Sequence, residues 1–217
     1  MCKARGRRSD ELNPHVLFWR LMNADRKFRR AISLGIRGES VVEGDHLALF
    51  YETDEEFANA LGFIETGLNG SDHCILFGVR SDVDRMLRVL RDRGWNVEDL
   101  LREERLSVVQ PHPTCEATVA AVSRHFERVL GEGAALIRFL GNAAVGCEGW
   151  PSEEEFYKLE ATVSAATLGL PCVAVCMFDL RTQSAVTILK AAFEGHPVTI
   201  HRNCIRENPL YIPKAAR

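Results

Sequence analysis

Short apolar runs recur along the chain from residue 44 onward, at intervals of about 26 to 38 residues. Each run is rich in β-branched or aromatic residues, which is typical of strands. The runs begin near Leu47, Cys74, Leu106, Ala134, Cys172 and Val198. Between them the apolar residues recur with helical periodicity, as in Phe57, Leu61, Ile64 and Leu68. Such alternation predicts parallel strands joined by helical crossovers.

The run from residue 172 to residue 178 is apolar on both sides and ends at Asp179. In a strand, Val173, Val175 and Met177 would face one side and Cys176 the other. Two apolar faces are typical of a central parallel strand that helices cover on both sides. We therefore predict a three-layer α/β/α domain with a mainly parallel central sheet of about six strands. Its ligand crevice is expected at the carboxyl ends of the strands.

The first 43 residues follow a different pattern and predict an N-terminal helical extension to an α/β domain over residues 44–217. A basic tail precedes an arginine-rich amphipathic helix over residues 15–35, and residues 36–40 are predicted to be a linker. We expect the helix to dock on its own domain, on a sister subunit in a homo-oligomer, or on a regulatory protein. Binding to a membrane surface or to nucleic acid stays an alternative for this helix.

Composition narrows the class of protein. With 46% hydrophobic and 26% charged residues and a net charge of −3, the chain has the composition of an ordinary globular protein, and its charge predicts neither a nucleic-acid nor a membrane partner. No signal peptide and no membrane span is visible in the sequence. The seven cysteines are an odd number and are scattered, which favours free thiols and a cytoplasmic location.

Motifs for nucleotide binding and for catalysis are missing. The sequence contains neither GxxxxGK[ST] nor GxGxxG, so it lacks the glycines and the lysine that hold phosphates. It also lacks the GxSxG motif. A thiol nucleophile needs a neighbouring base, and the sequence leaves open whether Cys176 and His196 approach each other in space. We therefore expect no catalytic residues and no enzymatic activity.

Metal binding is not indicated by local spacing. On a strand, Cys172 and Cys176 would share a face but lie about 13 Å apart, too far for two zinc bonds of about 2.3 Å. The group His196, His201 and Cys204 follows no recognised ligand spacing. We expect no metal and no cofactor, although a site assembled from distant parts of the chain stays open.

Polar and aromatic residues gather at the predicted strand ends, and this composition favours ligand binding over a defined reaction. Tyr51 and Trp150 are candidates for the walls of a pocket. Arg138, Asp179 and His196 are candidates to orient a ligand. Alternatively, Arg138 and Asp179 form a structural ion pair between neighbouring strands.

Several of these residues, taken in order, carry a resemblance to a known family. They are His46 before Phe50-Tyr51, the glycines of Gly67-Leu-Asn-Gly70, Arg138 in IRFLG, Trp150, Glu160, Cys176-Met-Phe-Asp179, His196-Pro197 and Asn208-Pro-Leu-Tyr-Ile-Pro213. Together they resemble the MEDS sensory domain of regulators from methanogens and methylotrophs, which include a dichloromethane-responsive repressor. The resemblance spans roughly residues 44–213 and implies a RecA-like domain without a phosphate loop that senses small, hydrocarbon-like molecules.

The resemblance and the residues together predict a small-molecule-sensing domain for signalling or transcription regulation. No helix-turn-helix or kinase segment is recognisable, so output is expected through protein contacts. An apolar or weakly polar ligand is expected at the carboxyl edge, bound by His46, Tyr51, Arg138, Trp150, Asp179 and His196. The alternatives are a degenerate RecA-like scaffold without a ligand, or a nucleotide-binding protein or enzyme.

Overall fold

The apolar strand Cys172–Asp179 lies in the middle of a seven-stranded sheet. This arrangement is seen in a computed structural model that describes residues 29–145, 150, 152–202, 204–209 and 211. The strands are β1 (Ala31–Ser33), β2 (Ser40–Val42), β3 (His46–Tyr51), β4 (His73–Phe77), β5 (Leu106–Val109), β6 (Ile137–Ala143), β7 (Cys172–Asp179), β8 (Val198–His201) and β9 (Cys204–Glu207). The sheet order is β5-β4-β6-β7-β3-β8-β9, and only the edge strand β9 pairs antiparallel. The mainly parallel sheet is confirmed.

Helices cover both faces of this sheet. They are α1 (Asp54–Ala60), α2 (Gly62–Asn69), α3 (Arg80–Asp92), α4 (Val97–Arg102), α5 (Cys115–Gly131), α6 (Glu153–Thr167) and α7 (Ala185–Lys190), and α7 continues into a π-helical turn, Ala191–Gly195. The first four pack on one face, and the rest pack on the other. None of the helices that the structure describes is long and apolar enough to cross a bilayer.

The core follows the two faces of β7 as predicted. Val173, Val175 and Met177 are each 0% exposed and pack with α1–α4. Cys172 and Cys176 point to the opposite face and are buried there. Helices packed on both faces of this central strand explain why its two faces are equally apolar.

The start of the domain differs from the prediction. Residues 31–35, predicted to end a helix, instead begin an antiparallel hairpin in which β1 pairs with β2. Residues 36–39 of the predicted linker lie in its turn, and Ser40 begins β2. Ile32 and Leu34 are buried in the core that the hairpin shares with α1–α4. Gly35 has a positive φ of 69°, and a Cβ there would lie 2.1 Å from the carbonyl oxygen of Gly62. The compact unit therefore spans Ala31–Arg217.

The remaining part of the predicted extension, residues 1–28, lies outside the described residues. The proposed docking of its helix on a partner therefore stays a prediction. On the described part, two apolar residues of α7 face solvent, since Val186 and Leu189 are each 55% exposed. Helical periodicity alone does not show which side of a short helix meets the core.

Candidate functional site

A cleft opens between α5 and α6, above β4, β6 and β7. It has a volume of about 300 Å³ and is lined mostly by aromatic and aliphatic side chains, among them Phe77, Val122, Phe126, Phe139, Trp150 and Val163. Trp150 packs against Phe77 and Phe156, with ring centroids 5.7 and 6.0 Å apart respectively. Its indole Nε1 is buried and has no acceptor among the described residues. Within the described residues, the cleft is thus an apolar site whose wall contains the indole donor of Trp150 without an acceptor.

Four side chains that ligate metals in many proteins meet at the inner wall of this cleft. His46 begins β3, Cys176 lies in β7, Glu160 lies on α6, and His196 follows the π-helical turn before β8. Their exposed fractions are 1%, 7%, 6% and 0%. One donor atom from each lies within 4.8 Å of the others. We call these four residues the inner quartet.

The quartet's contacts are short and specific. The Nε2 atom of His46 lies 3.2 Å from Sγ of Cys176 and 3.6 Å from Oε2 of Glu160. The Nε2 atom of His196 lies 2.8 Å from the same Glu160 oxygen. The two imidazole rings are tilted against each other, with centroids 4.2 Å apart. Of the quartet, Glu160 and Cys176 also line the cleft.

The contact between Cys176 and His46 is the thiol–imidazole arrangement that nucleophilic catalysis uses. The sequence left open whether Cys176 meets His196, and in the structure the imidazole next to the thiol is that of His46. Burial, followed by the nearby Glu160, raises the pKa of the Cys176 thiol well above its ordinary value. Burial, followed by His196, lowers the pKa of His46 well below its ordinary value. Without a cation, both shifts favour the neutral pair, whereas a reactive cysteine needs a thiolate.

The carboxyl edge of the sheet holds a second, more polar pocket of about 470 Å³ on the opposite face of the sheet. Tyr51 donates to Oδ1 of Asn142 at 3.1 Å, and burial with the nearby Asp179 raises the pKa of Tyr51 to about 12. Burial alone would raise the pKa of Asp179, but hydrogen bonds from Arg181 outweigh it, so that the pKa is lowered. Asp179 is therefore a carboxylate held by its neighbour Arg181 at 2.7 Å.

Arg138 lies away from both pockets. Arg138 is the second residue of β6, and its Nε donates to Oδ2 of Asp72 at 2.7 Å. Its Nη1 donates to the backbone carbonyl oxygens of Ser33 and Phe63. The alternative that Arg138 pairs with Asp179 is therefore wrong. Arg138 sits on the α1–α4 face and ties the hairpin and α2 to the sheet.

The six predicted site residues thus fall in separate places. His46 and His196 meet in the inner quartet, Trp150 lines the cleft, and Tyr51 with Asp179 lies on the other face. The prediction missed Glu160 and Cys176 as site residues. Both were among the residues that carry the family resemblance, as were His46 and His196. The presence of two histidines, a cysteine and a glutamate among those residues was the signal that could have indicated a shared site.

Comparison with protein families defines the class of protein. The family described as the MEthanogen/methylotroph, DcmR Sensory domain, abbreviated MEDS, matches residues 45–197. The match covers more than half of the chain, so the chain belongs to the MEDS family, and the resemblance inferred from the sequence is confirmed. This family membership indicates a sensing or regulatory role. No curated protein sequence matches the chain.

Comparison with solved structures confirms the architecture. A KaiC-like protein from the hyperthermophilic archaeon Pyrococcus horikoshii OT3 superposes with a TM-score of 0.57 at 14% sequence identity. The match covers 83% of this chain and 89% of that chain. At this level of identity the similarity shows a shared RecA-like fold and says nothing about a shared activity.

Proposed function

We propose that the domain senses a small apolar or weakly polar molecule that binds in the cleft between α5 and α6. The observation that carries this proposal is the cleft of about 300 Å³ with its aromatic and aliphatic walls. Apolar cavities of about 150 Å³ already bind benzene, so the cleft has room for a compact organic molecule. Membership of a sensory family supports a ligand, and the composition of the cleft supports its class.

The difference in polarity between the two pockets supports the cleft, rather than the carboxyl-edge pocket, as the place of the proposed ligand. The carboxyl-edge pocket, where the sequence predicted the ligand, is lined by charged side chains that include Arg80, Asp82, Arg85 and Asp179. Placing an apolar molecule there would remove these groups from water without compensation. In the cleft, the same molecule would cover side chains that are already apolar. We therefore assign the ligand to the cleft.

Trp150 gives the proposed ligand a point of recognition. Its indole ring forms part of the wall, and its Nε1–H has no acceptor among the described residues. A ligand with a single weak acceptor, such as a carbonyl, hydroxyl or halogen, would satisfy this donor. Binding would then fix the spacing of α5 and α6, and we propose that the change reaches a partner protein through their outer surfaces. The proposal gives the domain no reaction of its own.

Benzene and dichloromethane are suitable probes, in sealed cells with thermal unfolding and NMR chemical shifts as readouts. We expect either probe to raise the melting temperature of the parent protein. Val163→Phe, which fills the cleft from α6, should weaken binding at least tenfold. Ala165→Phe, on the exposed side of the same helix, should leave binding unchanged. A parent protein that responds to neither probe, or a Val163→Phe variant that binds as the parent does, would contradict the proposal.

A further inference from the structure

We infer that His46, Glu160, Cys176 and His196 bind a divalent metal ion, and that this ion is zinc. Imidazole nitrogen, thiolate sulfur and carboxylate oxygen are the three kinds of donor that zinc takes in proteins. The four residues come from β3, α6, β7 and the segment before β8. This is the assembly from distant parts of the chain that local spacing could not reveal. The inference does not depend on the proposed ligand.

Hydrogen bonds outside the quartet determine which ring nitrogens carry protons. Ser164 donates its hydroxyl proton to the carbonyl oxygen of Gly195 at 2.9 Å, so its oxygen accepts from Nδ1 of His46 at 2.8 Å. His196 donates from Nδ1 to the carbonyl oxygen of Ala191 at 2.9 Å. Both Nε2 atoms therefore direct lone pairs into the quartet. Histidines that ligate metals are held in this way by partners of their second nitrogen.

The interior of the quartet then has more acceptors than protons. The lone pair of His196 Nε2 faces Oε2 of Glu160 at 2.8 Å, and neither atom has a hydrogen-bond partner among the described residues. The Cys176 thiol can supply one proton, but its neighbours are Nε2 of His46 and the carboxylate of Glu160, so this proton does not serve Nε2 of His196. Two buried acceptors at this distance repel each other unless a cation or a proton lies between them. A metal ion would satisfy all four donor atoms at once.

Charge and geometry both fit zinc. A thiolate, a carboxylate and two neutral imidazoles carry two negative charges, which a divalent ion balances, so the loaded site would be neutral in the core. Tetrahedral bonds of about 2.0–2.3 Å place donor atoms about 3.3–3.8 Å apart. The separations of 2.8, 3.2 and 3.6 Å, with the remaining pairs of donor atoms no more than 4.8 Å apart, require side-chain movements of about 1 Å or less to reach this arrangement.

Four protein ligands complete the tetrahedron, so the site belongs to the closed, structural class rather than the catalytic class. The ion would fasten α6 and the segment before β8 to the two neighbouring strands β3 and β7. Glu160 and Cys176 also line the cleft, which gives the ion a route to the site.

The test uses the full chain without a histidine tag, purified and analysed for metal by mass spectrometry, then stripped with a chelator and titrated with Co²⁺. We expect one equivalent of metal per chain, and with Co²⁺ an intense sulfur-to-cobalt charge-transfer band. Cys176→Ser should lose that band, whereas Cys172→Ser, a neighbouring buried thiol outside the quartet, should keep it. Glu160→Gln and His196→Gln should weaken Co²⁺ binding at least tenfold.

X-ray absorption at the zinc edge identifies the neighbours of the bound ion in the unmodified protein. This measurement does not depend on whether the variants fold. One sulfur and three nitrogen or oxygen neighbours would support the assignment. A parent protein that takes up neither Zn²⁺ nor Co²⁺ at one equivalent, or a zinc ion with no sulfur neighbour, would overturn it. So would a Cys176→Ser variant with the spectrum of the parent.

Discussion

The Nε atom of Arg138 lies 2.7 Å from Oδ2 of Asp72, and this pair links the amino end of β6 to the loop before β4. The guanidinium also donates to the carbonyl oxygens of Ser33 and Phe63. Gly67 leaves room for this side chain, because a Cβ there would lie 2.5 Å from Cδ of Arg138. Arg138 is thus a structural residue that holds the hairpin and α2 on the sheet.

Arg138→Met should lower the free energy of unfolding by about 3–5 kcal/mol, because it leaves Asp72 without its partner and removes the hydrogen bonds to two carbonyl groups. Arg91→Met is the matched control, since Arg91 pairs with Glu98 at the surface and should cost less than about 1 kcal/mol. Urea unfolding at neutral pH measures both. Equal losses for the two variants would show that the Arg138 network adds no more than a surface pair.

Acid should destabilise the domain through His73, which begins β4 and contacts Oγ of Ser107 at 2.9 Å. Burial, helped by the charges of His125 and Arg128 and opposed by Glu104, lowers the pKa of His73 to about 4. In the unfolded chain the pKa is about 6.5. Between these values the unfolded state binds more protons, so stability is lost as the pH falls from about 6.5 to about 4.

His73→Gln should therefore flatten the pH dependence of stability, as measured by urea midpoints at about pH 7.5 and about pH 4.5. His201→Gln, at an exposed position on β8, should leave that dependence close to that of the parent. The same acid loss in His73→Gln as in the parent would mean that another group is responsible.

Two truncated proteins should distinguish the contribution of the hairpin to stability from that of residues 1–30. The unit Ala31–Arg217 includes the buried Ile32 and Leu34, so deleting residues 1–30 should leave cooperative unfolding intact. Deleting residues 1–38 also removes β1 and opens the core beside α2, so it should lower the melting temperature and expose apolar surface. Thermal melts and binding of a hydrophobic dye measure both effects. Similar behaviour of the two truncations would contradict the assignment of the hairpin to the core.

Magnesium and ATP should not stabilise the protein. The helix that follows β3 is where a phosphate loop would present backbone N–H groups, but Thr53 Oγ1 already accepts from the amide of Glu56 at 3.1 Å. The first turn of α1 also carries the carboxylates of Asp54, Glu55 and Glu56, which would repel phosphates. A melting-temperature rise of several degrees with ATP that persists in excess pyrophosphate would contradict this expectation.

Local patterns predicted the strand positions well, because the period of apolar residues reflects the environment of each element. All six predicted runs became strands. The strands β1, β2 and β9 were missed because none of them contains more than two consecutive apolar residues.

The candidate site was only partly predictable. Sequence indicated that His46, Trp150 and His196 belong to a site, through the family resemblance and the composition of the strand ends. It also grouped Tyr51 with Trp150, which lie on opposite faces of the sheet. The period of two within a strand shows which residues share a face, but the path of each crossover decides which helices cover that face.

By itself, the sequence determined the alternation of strands and helices, the buried position of β7 and the absence of a glycine–lysine phosphate loop, because these properties depend on residues close together in the chain. Only the tertiary structure brought His46 against Cys176 and His196, because the members of the quartet are up to 150 positions apart in the sequence. The cause is the order of the sheet, in which β3 lies between β7 and β8. That order places side chains from distant segments in one buried space, and the spacing of residues along the chain does not reveal the order of the strands.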